Sequence, residues 1–239
     1  MKAVGISDIG KCRKNNEDAF YVSKEDTHLP HLYIVADGMG GCNAGEVASS
    51  SAIAAFLEYT KKVEKEEPVD MLTGGVQAAN LAVFDKSNSA KEFAEMGTTI
   101  VVAAVEPEKI YIAYVGDSRA YLWKDSQLSL LTTDHSYVME LVKLGTITRE
   151  EAASHPKRNI ITRAVGIRDT VEVDTVAHSV KEGDILLLCT DGLSGMLTDR
   201  EIERILQEAT PIEEKAARLV EEANGHGGHD NISLILVEL

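Results

Sequence analysis

The residues of this chain whose types and spacing could do chemistry are aspartates placed at the ends of apolar runs. Four segments share the pattern: VADGMGG at Val35 to Gly41, VGDSR at Val115 to Arg119, LCTDGLSG at Leu188 to Gly195, and GGHDN at Gly227 to Asn231. A single Asp-Gly pair is ordinarily a tight turn, because both residues accept turn conformations. The combination implies more. Asp37 follows LYIVA and Asp191 follows ILLLCT, so each carboxylate emerges where a strand leaves a sheet, and sheet ends are where residues distant in sequence converge on a pocket. Carboxylates, carbonyls and water are the ligands of hard cations such as Mg²⁺ and Mn²⁺. Cys12, Cys42 and Cys189 form no CxxC pair, which leaves neither a disulfide framework nor a zinc-finger spacing. Glycine after Asp37 leaves the Gly38 carbonyl open as a further oxygen ligand.

Those carboxylates need strands to carry them. The first strands read as Ala3 to Ser7, Ala19 to Ser23 and His31 to Ala36, followed by a helix from about Gly45 to Lys62. A second helix follows Pro68, a residue suited to a first turn, although Gly74 and Gly75 each weaken it by roughly 1 kcal/mol relative to alanine. Between Thr98 and Leu131 the runs TTIVVAAV, KIYIAYV, SRAYLWK and QLSLL are joined by very short turns. Short links imply antiparallel pairing, since a parallel neighbour needs a crossover of about a dozen residues or more. Later strands are expected at Val171 to His178, Asp184 to Cys189 and Asn231 to Val237. Helices are expected at Thr198 to Glu208, opened by a Thr198/Glu201 capping box, and at Pro211 to Ala223. Residues 136–166 read as two short helices and a loop, a flap without sheet signal. The pattern predicts an α+β fold, a four-layer αββα sandwich of two antiparallel sheets flanked by helices, with residues 1–239 forming one domain.

Composition narrows the function. The chain has 239 residues, 44% of them hydrophobic, and a net charge of −15. It can therefore bury a core, and its charge opposes nonspecific binding to nucleic acid or an anionic membrane. Acidic stretches such as Lys61 to Glu67 are ordinarily solvated surface. No apolar segment is long enough to span a membrane and the first residues lack a signal-peptide pattern; the three scattered cysteines fit a reducing cytoplasm, and a monomer is the simplest expectation.

The order of the motifs resembles the metal-dependent PP2C-type protein phosphatases, especially their compact bacterial members. The resemblance runs through SDIGKCRKNNEDAF at Ser7 to Phe20, DGMGG, GEVAS, MGTT at Met96 to Thr99, GDSRAYLW, LTTDHS, NIITRAVG, TDGLSGML and GHDNISLILVEL. It implies hydrolysis of phosphoserine and phosphothreonine in proteins by in-line attack of a water activated between two divalent cations, Mn²⁺ or Mg²⁺. Carried onto this chain, Asp37 bridges the two cations, Asp191 and Asp230 bind one, and Glu17 and the Gly38 carbonyl help hold the other. Asp18 supports them by hydrogen bonding, Asp117 matches the position of a third, weaker cation, and Arg13 matches the arginine that grips the substrate phosphate. The resemblance further implies phosphoprotein partners and a cognate Ser/Thr kinase. The general acid is the point of departure. Many eukaryotic relatives carry histidine where this chain has Met39, and bacterial relatives often carry one at the place of Cys42. A cation-bound water is then the first candidate acid and His135 the second.

Rival readings find less support. The GMGG segment has Asn43 where a dinucleotide fingerprint needs glycine or alanine, and Asp37 would repel a pyrophosphate. His226, His229 and Asp230 could form a zinc site, but glycine-flanked histidines are more often loop residues. Thr162 and Arg163 read as flap supports, and Ser49 to Ser51 has no histidine partner for serine-hydrolase chemistry. A noncatalytic phosphoprotein-binding module should lose metal carboxylates first, yet Asp37, Asp191 and Asp230 are all present. A phosphatase for small metabolites is the remaining alternative.

Overall fold

The computed structural model describes residues 1–23, 30–40, 44–63 and 66–239. In chain order these form β1 (Lys2–Asp8), β2 (Asp18–Val22), β3 (His31–Met39), α1 (Ala44–Thr60), α2 (Pro68–Ser87), a 3₁₀ turn (Lys91–Phe93), β4 (Gly97–Thr98), β5 (Ile100–Glu106), β6 (Lys109–Val115), β7 (Arg119–Lys124) and β8 (Gln127–Leu130). There follow α3 (Tyr137–Lys143), α4 (Arg149–Ala153), β9 (Asp174–Ser179), β10 (Ile185–Cys189), α5 (Asp191–Ser194), α6 (Asp199–Leu206), α7 (Ile212–Gly225) and β11 (Ile232–Glu238). One sheet runs β1-β11-β10-β7-β8; the other runs β2-β3-β5-β6-β9, with β4 paired to the end of β3. Every strand pair is antiparallel.

Strand periodicity builds the layers. Successive side chains of a strand point to opposite faces, so Val101, Ala103 and Val105 of β5 enter the core between the sheets, while Ile100, Val102 and Ala104 pack beneath α1 and α2. On the other sheet Leu186 and Leu188 face inward, whereas Leu187 and Cys189 face α6 and α7. Two sheets covered on both outer faces by helices make the four-layer αββα sandwich. Each fully buried leucine or isoleucine in it contributes about 1.5–3 kcal/mol.

Several departures from the sequence reading have local causes. Helix α2 runs unbroken through Gly74 and Gly75 because both lie under α1: an added Cβ would come within 2.2 Å of the Tyr59 hydroxyl oxygen and 2.5 Å of the Phe56 ring. The short link between β6 and β7 does not make a hairpin. Gly116, at φ +110°, carries the chain from one sheet to the other, so the GDSR segment crosses the sandwich at its rim. Residues 136–166 hold α3 and α4 as expected, but an isolated bridge from Val165 to Thr98 pins the end of the segment to the body, and a second one, between Ser136 and Ile161, closes the segment on itself. The Thr198/Glu201 capping box is present, and a second one at Thr148/Glu151 opens α4.

Candidate active site

Asp37 occupies the last paired position of β3 against β2, directly opposite Asp18. Its backbone is gripped from the other side by the MGTT segment. Thr99 N and Thr98 Oγ1 donate to the Asp37 carbonyl at 2.9 and 2.8 Å, and Asp37 N donates to Thr99 Oγ1 at 3.0 Å. Thr99 Oγ1 also lies 2.7 Å from Ser118 Oγ. That bond fastens the GDS link, which carries Asp117, to the strand end that carries Asp37.

Glu17 is placed by its own carbonyl, which accepts from Gly38 N at 3.1 Å and Ser49 Oγ at 2.6 Å. The backbones approach so closely here that a Cβ on Gly38 would sit 2.0 Å from the Gly45 carbonyl oxygen and 2.5 Å from that of Glu17. Crowding of main chain, beyond an open carbonyl, thus explains the glycine. Asn231 stitches the same loop to β11. Its amide nitrogen donates to the carbonyls of Ile9 and Asn15 at 3.0 and 2.9 Å, and its oxygen accepts from Glu17 N at 2.8 Å. Asp191 opens α5 just beyond β10, and Asp230 immediately precedes Asn231.

The result is a cleft of about 250 Å³ at one end of the sandwich. Arg13, Glu17, Asp37, Gly38, Asp117, Asp191 and Asp230 all line it, together with Met39, Thr99, Asn159, Ile161 and Asn231. Asp18 stands behind Asp37, where its Oδ2 accepts from Thr190 Oγ1 at 2.9 Å. Arg13 Nη2 donates to Asp230 Oδ2 at 2.6 Å in a half-exposed ion pair.

So many carboxylates in one place disturb one another. Burial pushes Asp37 well above the usual carboxylate range, and the charges of Asp18, Asp191, Asp117 and Asp230 push the same way. Burial raises Asp18 to about 7 despite hydrogen bonds from Ser233 and Thr190, and raises Asp117 to about 7 with help from Asp191 and Asp134. Asp191 is raised by burial and by Asp230, against a hydrogen bond from Asp37, and Glu17 is raised by burial against Arg13.

Among the described residues no three His, Cys, Asp or Glu side chains are already drawn to a single coordination point. The carboxylates surround the cleft instead. Asp18 Oδ1 and Asp191 Oδ1 are nevertheless buried without any hydrogen-bond partner, a costly state for a carboxylate oxygen unless positive charge meets it. An all-oxygen donor set with unsatisfied anionic oxygens fits hard divalent cations.

Other sequence candidates lie elsewhere. His135 is not in the cleft lining; it is buried, with Nδ1 accepting from Gly116 N at 3.0 Å and Nε2 lying 3.1 Å from Arg163 Nη1. That placement removes it as general acid, because no leaving group in the cleft could reach its proton. His226 bonds the Met196 carbonyl while His229 faces Cys12 Sγ at 3.5 Å, so the two histidines do not converge on Asp230. Arg163 pairs with Glu172 and Asp174. Cys42 lies outside the described residues. Sequence reading passed over Thr99, Asn159, Ser118 and Asn231; the MGTT and HDN motifs were the signal for Thr99 and Asn231, whereas nothing in NIITR marks Asn159.

A two-sheet sandwich ending in a carboxylate-lined cleft that demands cations defines a metal-dependent hydrolase of phosphate esters. Comparison with known proteins gives the family. The family model described as protein phosphatase 2C matches residues 11–225. The serine/threonine phosphatase stp of Listeria monocytogenes is 42% identical over 242 residues, covering 100% of this chain and 96% of that one. The crystal structure of the serine/threonine phosphatase Stp1 from Staphylococcus aureus superposes with a TM-score of 0.94 at 35% identity, covering 100% of this chain and 94% of that one. The catalytic domain of PstP in complex with two manganese ions superposes with a TM-score of 0.86 at 34% identity, covering 98% of this chain and 96% of that one. The chain belongs to the protein phosphatase 2C family of metal-dependent serine/threonine phosphatases.

Proposed function

We propose that this chain hydrolyses phosphoserine and phosphothreonine in other proteins, opposing a Ser/Thr kinase of the same cell, and that residues 1–239 form one phosphatase domain. The observation that carries the reading is the cleft itself, in which Glu17, Asp37, Asp117, Asp191 and Asp230 face one arginine, Arg13. Two divalent cations, Mn²⁺ or Mg²⁺, would be held there. Asp37 would serve both, Asp191 and Asp230 would hold one, Glu17 and the Gly38 carbonyl would help hold the other, and Asp117 would hold a third, weaker one. When bound, the cations lower the pKa of a water and offset charge on the phosphoryl oxygens.

The chain's own residues do the rest. Asp18 receives the Thr190 hydroxyl at one oxygen and fixes the strand end behind Asp37. Thr98 and Thr99 hold the Asp37 backbone, which sets where its carboxylate points. Arg13 offers a planar guanidinium able to make paired hydrogen bonds to phosphate oxygens. To do so it gives up Asp230, its partner at 2.6 Å, an exchange favoured once Asp230 faces a cation. Met39 lines the cleft and can move no proton, so the leaving alkoxide takes its proton from solvent in the cleft. The protein acts as a cytoplasmic monomer; no helix among the described residues is long and apolar enough to cross a membrane.

The test is phosphate release from a phosphothreonine peptide in Mn²⁺ and then in excess EDTA, with Asp37→Asn as the contamination control. Turnover that needs the cation and vanishes in the variant supports the reading. Folded protein that binds the phosphopeptide without turnover in Mn²⁺ or Mg²⁺ overturns it.

A further inference from the structure

A second concavity, of about 460 Å³, runs from the cleft between the α3–α4 segment and the sandwich, and Asp117, Asn159 and Asp191 line both spaces. Its lining is mixed. Val138, Met139, Met196 and Leu197 supply an apolar floor, and thioether side chains adapt to varied partners. Of its four acids, Asp117 and Asp191 stand in the wall shared with the cleft, and the other two are engaged: Asp134 takes two hydrogen bonds from Arg119, at 2.9 and 2.7 Å, and Asp199 accepts from the Tyr121 hydroxyl at 3.2 Å.

The groove's remaining charges are Arg149 and Arg158, both exposed. Among the described residues Arg13, Arg119, Arg163, Arg204 and Arg218 each form a salt bridge with a carboxylate, whereas the side chains of Arg149 and Arg158 form none. That is unexpected in a chain with 39 acidic residues against 24 lysines and arginines. Arg168 and Arg200 are likewise without such a bridge but do not line the groove. Two free guanidiniums therefore flank an apolar trough that opens into the reaction cleft.

We propose that this groove binds the stretch of phosphoprotein adjoining the phosphorylated residue, and that Arg149 and Arg158 select stretches carrying acidic side chains. The proposal rests on the phosphatase reading and names the substrate class within it. A phosphoresidue seated in the cleft has its neighbouring chain delivered to the groove, because the two spaces share a wall. Guanidinium groups at its rim then meet carboxylates of that chain. The protein's overall negative charge works against acidic peptides everywhere else, so a preference for them must arise locally.

The experiment compares three phosphothreonine peptides of equal length in Mn²⁺ at fixed ionic strength, flanked on both sides by glutamate, by serine or by lysine. For the natural chain, kcat/KM for the glutamate peptide should exceed that for the serine peptide roughly fivefold, as two exposed charge pairs allow, and the ratio should shrink as salt is raised. In the double variant Arg149→Glu, Arg158→Glu the order should invert in favour of the lysine peptide. Comparing peptides on one enzyme makes each ratio independent of how much of a variant is active. Equal rates on all three peptides, or an unchanged order in the double variant, overturn this inference and leave the phosphatase reading standing. Release from none of them overturns both.

Discussion

Asp18 and Asp37 face each other across the β2–β3 pair, and among the described residues neither carboxylate has a lysine, arginine or histidine in salt-bridge contact. One oxygen of Asp18 is buried and unpartnered. Such a pair is a store of unfavourable charge that either protons or cations can relieve, so the two compete for the same oxygens.

Cation binding should consequently stabilise the protein more at high pH than at low pH. Asp18 and Asp117 are raised to about 7 in the folded protein, from an unfolded value near 4. The folded state holds these protons more tightly, so their contribution is fully present below about pH 4 and is lost as pH rises through about 7. In EDTA the melting temperature should fall between pH 5 and pH 8, and Mn²⁺ should recover most at pH 8. A calorimetric series in which the Mn²⁺ gain is the same at both pH values counts against these carboxylates as the cation site.

Asn231→Ala should weaken both fold and cation binding. The side chain is buried and satisfies three main-chain groups, at Ile9, Asn15 and Glu17. Leaving such groups unpaired costs about 1–3 kcal/mol each when none finds water, so a loss of about 2–4 kcal/mol in urea unfolding is expected. Because Glu17 loses its anchor, Mn²⁺ affinity should fall about tenfold or more. Calorimetric titration that finds native affinity in the destabilised variant would separate the two roles and refute the second.

Arg13→Ala should act on substrate binding. A hydrogen-bonded charge contributes about 1.5–3 kcal/mol, which corresponds to a rise in KM for p-nitrophenyl phosphate of roughly tenfold or more with a smaller change in kcat. Arg13→Lys should recover part of the loss, since an ammonium supplies charge without the planar fork. Equal KM values in all three proteins would remove Arg13 from phosphate recognition.

How much of this was legible beforehand depended on the range of the interaction. The strands carrying Asp37 and Asp191 were legible because LYIVA and ILLLC are long apolar runs, and the observed β3 and β10 lie on them. Helix ends with a capping signal, such as Thr198/Glu201, were also legible. The crossing of GDSR between sheets was not. A short turn reads as a hairpin, and only pairing with distant β10 shows that β7 has changed sheets. Asn231 and Thr99 were hidden for the same reason: their partners lie 214 and 62 residues away in sequence. His135 shows the opposite error, in which a side chain with suitable chemistry was credited with a role that its buried position denies it.

That buried histidine yields the last expectation. His135 Nδ1 faces Gly116 N–H, so Nδ1 is the acceptor and the ring proton sits on Nε2, directed at Asp174 Oδ2 at 3.4 Å, while the adjacent Arg163 Nη1 donates to Asp174 Oδ1 and not to the ring. The ring also stacks on Tyr114 at 5.2 Å. Burial depresses the His135 pKa, and Arg163 and Lys143 depress it further against the opposing charge of Asp174. The unfolded chain therefore binds this proton more readily. Stability is full above about pH 6.5 and is lost as pH falls below it toward the folded value. Protonation would also place two donors, Nδ1–H and Gly116 N–H, face to face in the link that carries Asp117. In Mn²⁺, where the cleft carboxylates are occupied, urea midpoints should decline from pH 7 to pH 5. His135→Asn, whose amide oxygen can take the place of Nδ1, should lose about 1 kcal/mol at pH 7 and show a flatter pH profile. His135→Ala, which leaves Gly116 N–H without an acceptor, should lose about 2 kcal/mol or more. If the asparagine variant keeps the natural pH slope, the proton responsible is not on His135.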